Sequence, residues 1–196
     1  NRGTKTHFSL WRIFNMMQPA GSSSMMQRLM GVITLKAPIY KEIAEDPASL
    51  APAAIITVAA SVISGLIGLL LGNPIMSLVA GVLSALLGWI VSAFVASFVA
   101  ERQGGKTNTQ EMLRVLGHTN IFQVLNFIPC LGTIAAIVLG AIAFVIAVRE
   151  AAEFDTQKAV ITAVITFIAI FLVSMLIGTI LGVGGAAVGA LTTPSR

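Results

Sequence analysis

The residues best suited to chemistry are one histidine and three amides in an otherwise apolar, uncharged stretch: His118, Asn120, Gln123 and Asn126. A neutral imidazole inside a membrane can ligate a haem iron or a chlorophyll magnesium, so His118 is a candidate cofactor ligand. The simpler alternative is a hydrogen-bonded histidine near the membrane edge. The second histidine, His7, lies far away in the chain, so no two-histidine haem site can be drawn.

The three amides need hydrogen-bond partners in lipid, so we expect them to face the inside of a helix bundle. Catalysis is not indicated, because no aspartate, glutamate or lysine lies inside any predicted span and the His-Glu-x-x-His motif is absent. The serines fall in rows of small residues, which helix packing explains. We therefore predict no enzyme activity, no metal site and no resident cofactor. The pattern is also compatible with a bound lipid or pigment.

Composition places these residues in a membrane. Apolar residues make up 56% of the chain and charged residues 10%, against roughly 25% charged in soluble domains. The net charge is +4, but basic residues beside membrane spans usually set topology or contact anionic lipid, so no nucleic-acid partner is expected. The single cysteine, Cys130, excludes an internal disulfide.

Apolar segments separated by turns predict five membrane-spanning helices. The clearest runs from Ile75 to Ala100 without a charge or a proline. As a helix it would be about 39 Å long, enough to cross a hydrocarbon core of ~30 Å. Pro129 is the predicted hinge between the third and fourth helices. The predicted spans are 52–71, 75–100, 112–128, 131–148 and 159–183, and the third is either a span or re-entrant.

Small residues at four-residue spacing give several of these helices a smooth face on which another helix can pack closely. Trp89 lies near the middle of its span, away from the interfaces where tryptophan is usual. We expect its ring to pack against a neighbouring helix's glycine. The positions predicted for helix packing are Gly65, Gly68, Gly72, Gly81, Ser84, Gly88, Ser92, Ala96, Gly178 and Gly182.

The first part of the chain differs from the rest: residues 1–46 are predicted to form a cytoplasmic or interfacial amphipathic arm, and residues 47–196 the transmembrane domain. Within the arm, Ser24 followed by Gln27 resembles a capping box. The helix that it opens is rich in methionine, and it either lies in the membrane plane or docks on the bundle.

Topology follows from the positive charges. Five crossings put eleven of the twelve Lys and Arg on one side of the membrane, whereas four crossings put ten there. The positive-inside rule thus favours five crossings, with a cytoplasmic N-terminus and an external C-terminus.

Six short motifs follow one another along the chain: Lys36-Ala-Pro38, Ile43-Ala-Glu-Asp-Pro47, Glu111-Met-Leu-Arg-Val-Leu-Gly117, Pro129-Cys-Leu-Gly132, Ala147-Val-Arg-Glu-Ala151 and Thr156-Gln-Lys-Ala-Val160. In these motifs, and over roughly residues 25–183, the chain resembles the Yip family, the Ypt/Rab-interacting five-span membrane domain, in its prokaryotic form. The resemblance implies an all-helical membrane domain without known catalytic residues, whose eukaryotic members are linked to Rab GTPases and vesicle traffic. The acidic Asp-Leu-Tyr-Gly-Pro element of those members is absent, which argues for a bacterial cytoplasmic membrane protein.

The sequence therefore predicts an all-α integral membrane protein, a five-helix transmembrane bundle with an amphipathic N-terminal arm. The leading functional hypothesis is a non-enzymatic scaffold or accessory subunit. It would pack against membrane lipids and other integral membrane proteins in a larger complex, with an energy-transducing complex as one candidate. The alternatives are a carrier of lipid or a neutral small molecule, using the polar third helix, and a Rab-type trafficking adaptor.

Overall fold

The computed structural model describes residues 24–70, 75–128 and 130–192, so the first 23 residues of the predicted arm, Gly72 and the predicted hinge at Pro129 lie outside the described residues. Within these ranges the protein contains seven α-helices and two 3-10 helices. The α-helices are α1 (Met25–Ile33), α2 (Ala37–Glu45), α3 (Leu50–Leu70), α4 (Ile75–Arg102), α5 (Thr109–Thr119), α6 (Leu131–Ala151) and α7 (Thr156–Thr192), and the 3-10 helices are Pro47–Ser49 and Asn120–Phe127.

Four stretches of the described chain are long and apolar enough to cross a membrane: Pro47–Leu66, Leu78–Arg102, Leu131–Ala151 and Thr156–Met175. They confirm an all-helical membrane protein. The predicted third span, 112–128, is not among them, because its α-helix α5 has only 11 residues and continues as an eight-residue 3-10 helix. Five spans are therefore not confirmed.

Helix α5 lies in the middle of the bundle, in contact with α2, α3, α4 and α6. Its close packing comes from Gly117, where an added Cβ would lie 2.5 Å from the Cβ of Ala53 and 3.0 Å from the ring of Trp89. The same ring donates a hydrogen bond from Nε1 to the carbonyl oxygen of Leu113 at 2.9 Å. The predicted packing of the Trp89 ring against a neighbouring helix's glycine is confirmed.

The loops after α4 and after α6 meet at one end of the bundle, which we call the charged end. The backbone N–H of Lys106 donates to the carbonyl oxygen of Ala152 at 3.1 Å. Lys41 of α2 joins this end through an ion pair with Glu153, at 3.1 Å. The C-termini of α4 and α6 therefore lie side by side, together with the N-termini of α5 and α7.

Candidate functional site

The candidate site is built on α5, whose start is fixed by a capping box. The side chain of Asn108 accepts a hydrogen bond from the backbone N–H of Glu111, and the carboxylate of Glu111 accepts one from the backbone N–H of Asn108. From this start, Arg114 and His118 fall one turn apart on the buried side of the helix.

Arg114 links α5 to the end of α2. Its guanidinium is buried and donates from Nη1 to the carbonyl oxygen of Ala44 at 2.8 Å, and from Nη2 to Gln110 at 3.4 Å. Within the described residues its Nε has no hydrogen-bond partner. Sequence reasoning missed this buried cation, and the only signal for it is its position four residues before His118.

His118 is 1% exposed. Its Nδ1 lies 2.8 Å from the carbonyl oxygen of Arg114, and because a carbonyl can only accept, Nδ1 carries a proton. Nε2 is then the atom that a metal would use. The ring lines a cavity of about 330 Å³ together with Arg28 and Asp46. This geometry agrees with the simpler alternative of a hydrogen-bonded histidine, and a haem or chlorophyll ligand stays a prediction.

A cluster of charges lines the same cavity at the start of the first candidate span. Arg28, buried on α1, donates to Glu42 from Nε at 3.2 Å and from Nη2 at 3.1 Å. Its Nη1 donates to Ser49 at 2.6 Å and to the carboxylate of Asp46. The guanidinium holds the pKa of Asp46 below its usual value of 3.8. The cluster therefore ties α1, α2 and the entry of α3 together.

The cluster offers no metal site: in the described part of the chain, no three His, Cys, Asp or Glu side chains are grouped so that they could hold an ion.

Arg28 is the second functional residue that sequence reasoning missed. It shares its buried helix face with Gly31 and Val32, at i+3 and i+4.

The amides of the 3-10 helix are joined to α3. Asn120 donates from Nδ2 to the hydroxyl of Thr57 at 2.8 Å and accepts from Gln123 at 3.0 Å. Ser64 donates to the backbone carbonyl of Gln123 at 2.7 Å. Asn126 is half-buried. Asn120 and Gln123 also line a cavity of about 400 Å³ between the 3-10 helix, α6 and α7.

The small residues predicted for helix packing divide into covered and open positions. A Cβ at Gly65 would lie 3.2 Å from Leu78 of α4, and Ser92 and Ala96 are buried. By contrast Ser84 is exposed, and a Cβ at Gly81 or Gly88 would meet no atom within 4 Å. The side-chain surroundings of the remaining positions are outside the described part of the chain: Gly68, Gly72, Gly178 and Gly182.

Comparison with known proteins identifies the family. The family model described as Yip1 domain matches residues 30–178. No curated protein matches the chain, and no solved structure does. The family match covers more than half of the sequence and includes α2 to α6 in full, with the site around Arg114 and His118. The chain therefore belongs to the Yip1 domain family of membrane proteins.

Proposed function

We propose that this Yip1 domain protein is a non-enzymatic assembly subunit that binds other integral membrane proteins through an uncovered face of α4. The observation that carries the proposal is an uncovered row of small residues at Gly81, Ser84 and Gly88, which we call the small-residue groove. A Cβ at either glycine would meet no atom within 4 Å, and the serine is exposed.

The groove differs from the rest of α4. Toward the C-terminus of the helix, Ala93, Ala96 and Ala100 are fully buried inside the bundle. The small residues of this half are already used for internal packing, whereas Gly81, Ser84 and Gly88 of the other half are not. In lipid, helices associate where small residues let two backbones approach, because hydrophobic burial gives no driving force there. An unused row of this kind fits a helix from another membrane protein.

A neighbouring cavity makes room for such a helix. It has a volume of about 370 Å³ and lies between α4 and α7, where Ser84 and Gly88 face Val173 and Ser174. The groove is therefore part of a wider recess between two membrane helices. Residues from both sides of the recess would contact an incoming helix.

We further propose five crossings, with the N-terminus cytoplasmic and the C-terminus outside. Supporting this, α4 and α6 end together at the charged end, and α6 has 21 residues, or about 31 Å. Leu131, the first residue of α6, then lies at the end of the bundle opposite the charged end. The chain from Thr109 to Phe127 must therefore run from the charged end to that opposite end. At ~1.5 Å per residue in α5 and ~2 Å in the 3-10 helix, this segment is about 32 Å long.

The assembly role is tested by blue-native electrophoresis of membranes solubilised in a mild detergent. The wild-type chain should migrate in a complex larger than its own 20.5 kDa. The double variant Gly81→Leu/Gly88→Leu should no longer migrate in this complex, because two leucines fill the groove. Leu83→Phe is the matched control, since it enlarges an exposed side chain that lies roughly 100–160° around α4 from the groove residues, and it should leave the complex intact.

Migration of the wild-type chain as a lone 20.5 kDa species would contradict the proposal. So would a complex that survives both leucines unchanged. Mass spectrometry of the wild-type complex identifies the partner, and a GTPase in place of an integral membrane protein would favour the trafficking-adaptor alternative.

A further inference from the structure

We infer that the cavity between the 3-10 helix, α6 and α7 binds one neutral lipid that carries a hydroxyl or an ester carbonyl. This lipid site goes beyond the assembly role and does not depend on it, because the small-residue groove lies on α4 and contributes no residue to the cavity.

The walls of the cavity are apolar with one polar strip and no charged residue. Its volume is about 400 Å³, and its apolar wall includes the rings of Phe122, Phe144 and Phe167. The polar strip consists of Asn120 and Gln123, with Thr119 beside them. A few convergent polar groups in an apolar cavity of this size are typical of ligand sites. A charged ligand would lack a counter-charge here, so the ligand is neutral.

The 3-10 conformation aligns the polar strip. Side chains three residues apart eclipse one another in a 3-10 helix, so Asn120 and Gln123 project in the same direction. Their amides are joined at 3.0 Å. Runs of this helix longer than three or four residues are uncommon, and this one has eight. Continuing α5 as an α-helix would rotate the two amides apart.

The opposite wall is kept open by small residues on α6. Ala136, Gly140 and Ala141 face the cavity, and a Cβ at Gly140 would meet no atom within 4 Å. The space therefore results from the choice of small side chains in the middle of a membrane span. A larger residue at Gly140 would fill it without displacing a neighbour.

The polar strip has hydrogen-bonding capacity left for a ligand. Asn120 is occupied on both sides, as a donor to Thr57 and as an acceptor from Gln123. The carboxamide oxygen of Gln123 has no hydrogen-bond partner within the described residues, and a carboxamide offers an acceptor and two N–H donors. It can thus bind a hydroxyl or an ester carbonyl.

The position of the cavity decides where the ligand comes from. Ile137 and Phe144 lie in the central part of α6, a candidate span, so the cavity is at the depth of the hydrocarbon. Ile137 is 66% exposed at the rim, which opens the cavity sideways. A molecule dissolved in the bilayer can enter by this route, whereas a water-soluble metabolite cannot. Diacylglycerol has the required neutral, hydroxyl- and ester-bearing head.

The test uses a photoactivatable diacylglycerol as the probe on the purified full chain in nanodiscs. It should label peptides from residues 119–144, and unlabelled diacylglycerol should compete. The same probe built on phosphatidic acid should label at least fivefold less, since it carries a charge. Gly140→Leu and Gln123→Leu should each reduce diacylglycerol labelling at least fivefold.

Ala59→Leu is the control, because it enlarges an exposed small residue on α3 and should not change labelling. Labelling of the wild-type chain that unlabelled diacylglycerol cannot reduce would overturn the site, and this measurement does not depend on the folding of any variant. Equal labelling by phosphatidic acid, or undiminished labelling of Gly140→Leu, would overturn it as well.

Discussion

Gly117 allows three helices to pack closely because it has no side chain. It lies on α5 and faces Ala53 of α3 and Trp89 of α4. The hydrogen bond from the Trp89 ring to Leu113 fixes the ring beside it. A methyl group has no room at this point unless a helix moves.

We therefore expect Gly117→Ala to destabilise the protein, by about 1–3 kcal/mol, the usual cost of overpacking a filled core. Gly81→Ala is the matched control, because its Cβ meets no atom within 4 Å. Alanine also has a higher helix propensity than glycine, so the control should be neutral or more stable by up to ~1 kcal/mol. Thermal unfolding in detergent, followed by circular dichroism, measures both. An equal loss in the two variants would contradict this account.

The same contrast shows what residue type alone can predict. Four-residue spacing predicted that small residues line helix faces, and the contact of Trp89 with a glycine was predicted from its unusual depth in the span. The spacing could not tell that Gly65 is covered by Leu78 while Gly88 is open. That difference depends on which helix lies opposite, which is decided by contacts distant in sequence.

Among the helices, α1 buries a charged side chain and exposes apolar ones, the reverse of a helix on the surface of a soluble protein. Its cation, Arg28, is buried, whereas Met25, Met26 and Met30 are between 44% and 68% exposed. The bond from Arg28 to Ser49, at 2.6 Å, places α1 beside the start of the first candidate span. The exposed methionines therefore lie at the level of the membrane surface, where an apolar face is stable in the headgroup region.

We expect α1 to lie in the membrane plane. An environment-sensitive NBD label is attached at Met26→Cys in a Cys130→Ser background. It should emit at a shorter wavelength than the same label in water, and lipids that carry a nitroxide near the headgroup should quench it. Glu45→Cys on α2 is the control, since its side chain is 67% exposed and charged, and a label there should report water. Aqueous emission at position 26 would rule out lipid contact, and a short wavelength without quenching would indicate a protein partner instead.

The long helices were predictable and the 3-10 helix was not. Uninterrupted apolar runs specify α3, α4, α6 and α7, because in lipid a helix is the only way to satisfy the backbone. The change from α to 3-10 at Asn120 depends on tertiary hydrogen bonds, such as that from Ser64 to the carbonyl of Gln123. Such bonds leave no pattern in the local sequence. The burial of Arg28 and Arg114 was missed for the same reason.

For the whole molecule, the positions of the helix ends at the two ends of the bundle support the proposed topology independently of the count of positive charges. The link between Lys106 and Ala152 joins the ends of α4 and α6 at the charged end. Cys130 comes directly before α6 and is exposed. If α6 crosses the membrane, Cys130 and Lys106 must face opposite sides, and the segment between them is the additional crossing.

This arrangement can be tested on intact cells with a membrane-impermeant maleimide, since Cys130 is the only cysteine. We expect Cys130 to be labelled from outside. In a Cys130→Ser background, Lys106→Cys should be labelled only after the membrane is permeabilised, because its side chain is 83% exposed at the charged end, which the proposed topology places in the cytoplasm. Labelling of both positions from one side would mean that the segment 109–128 enters the membrane and returns, which would place both termini on the same side. Opposite labelling would instead establish that the segment 109–128 crosses the membrane, which together with the four candidate spans gives five crossings.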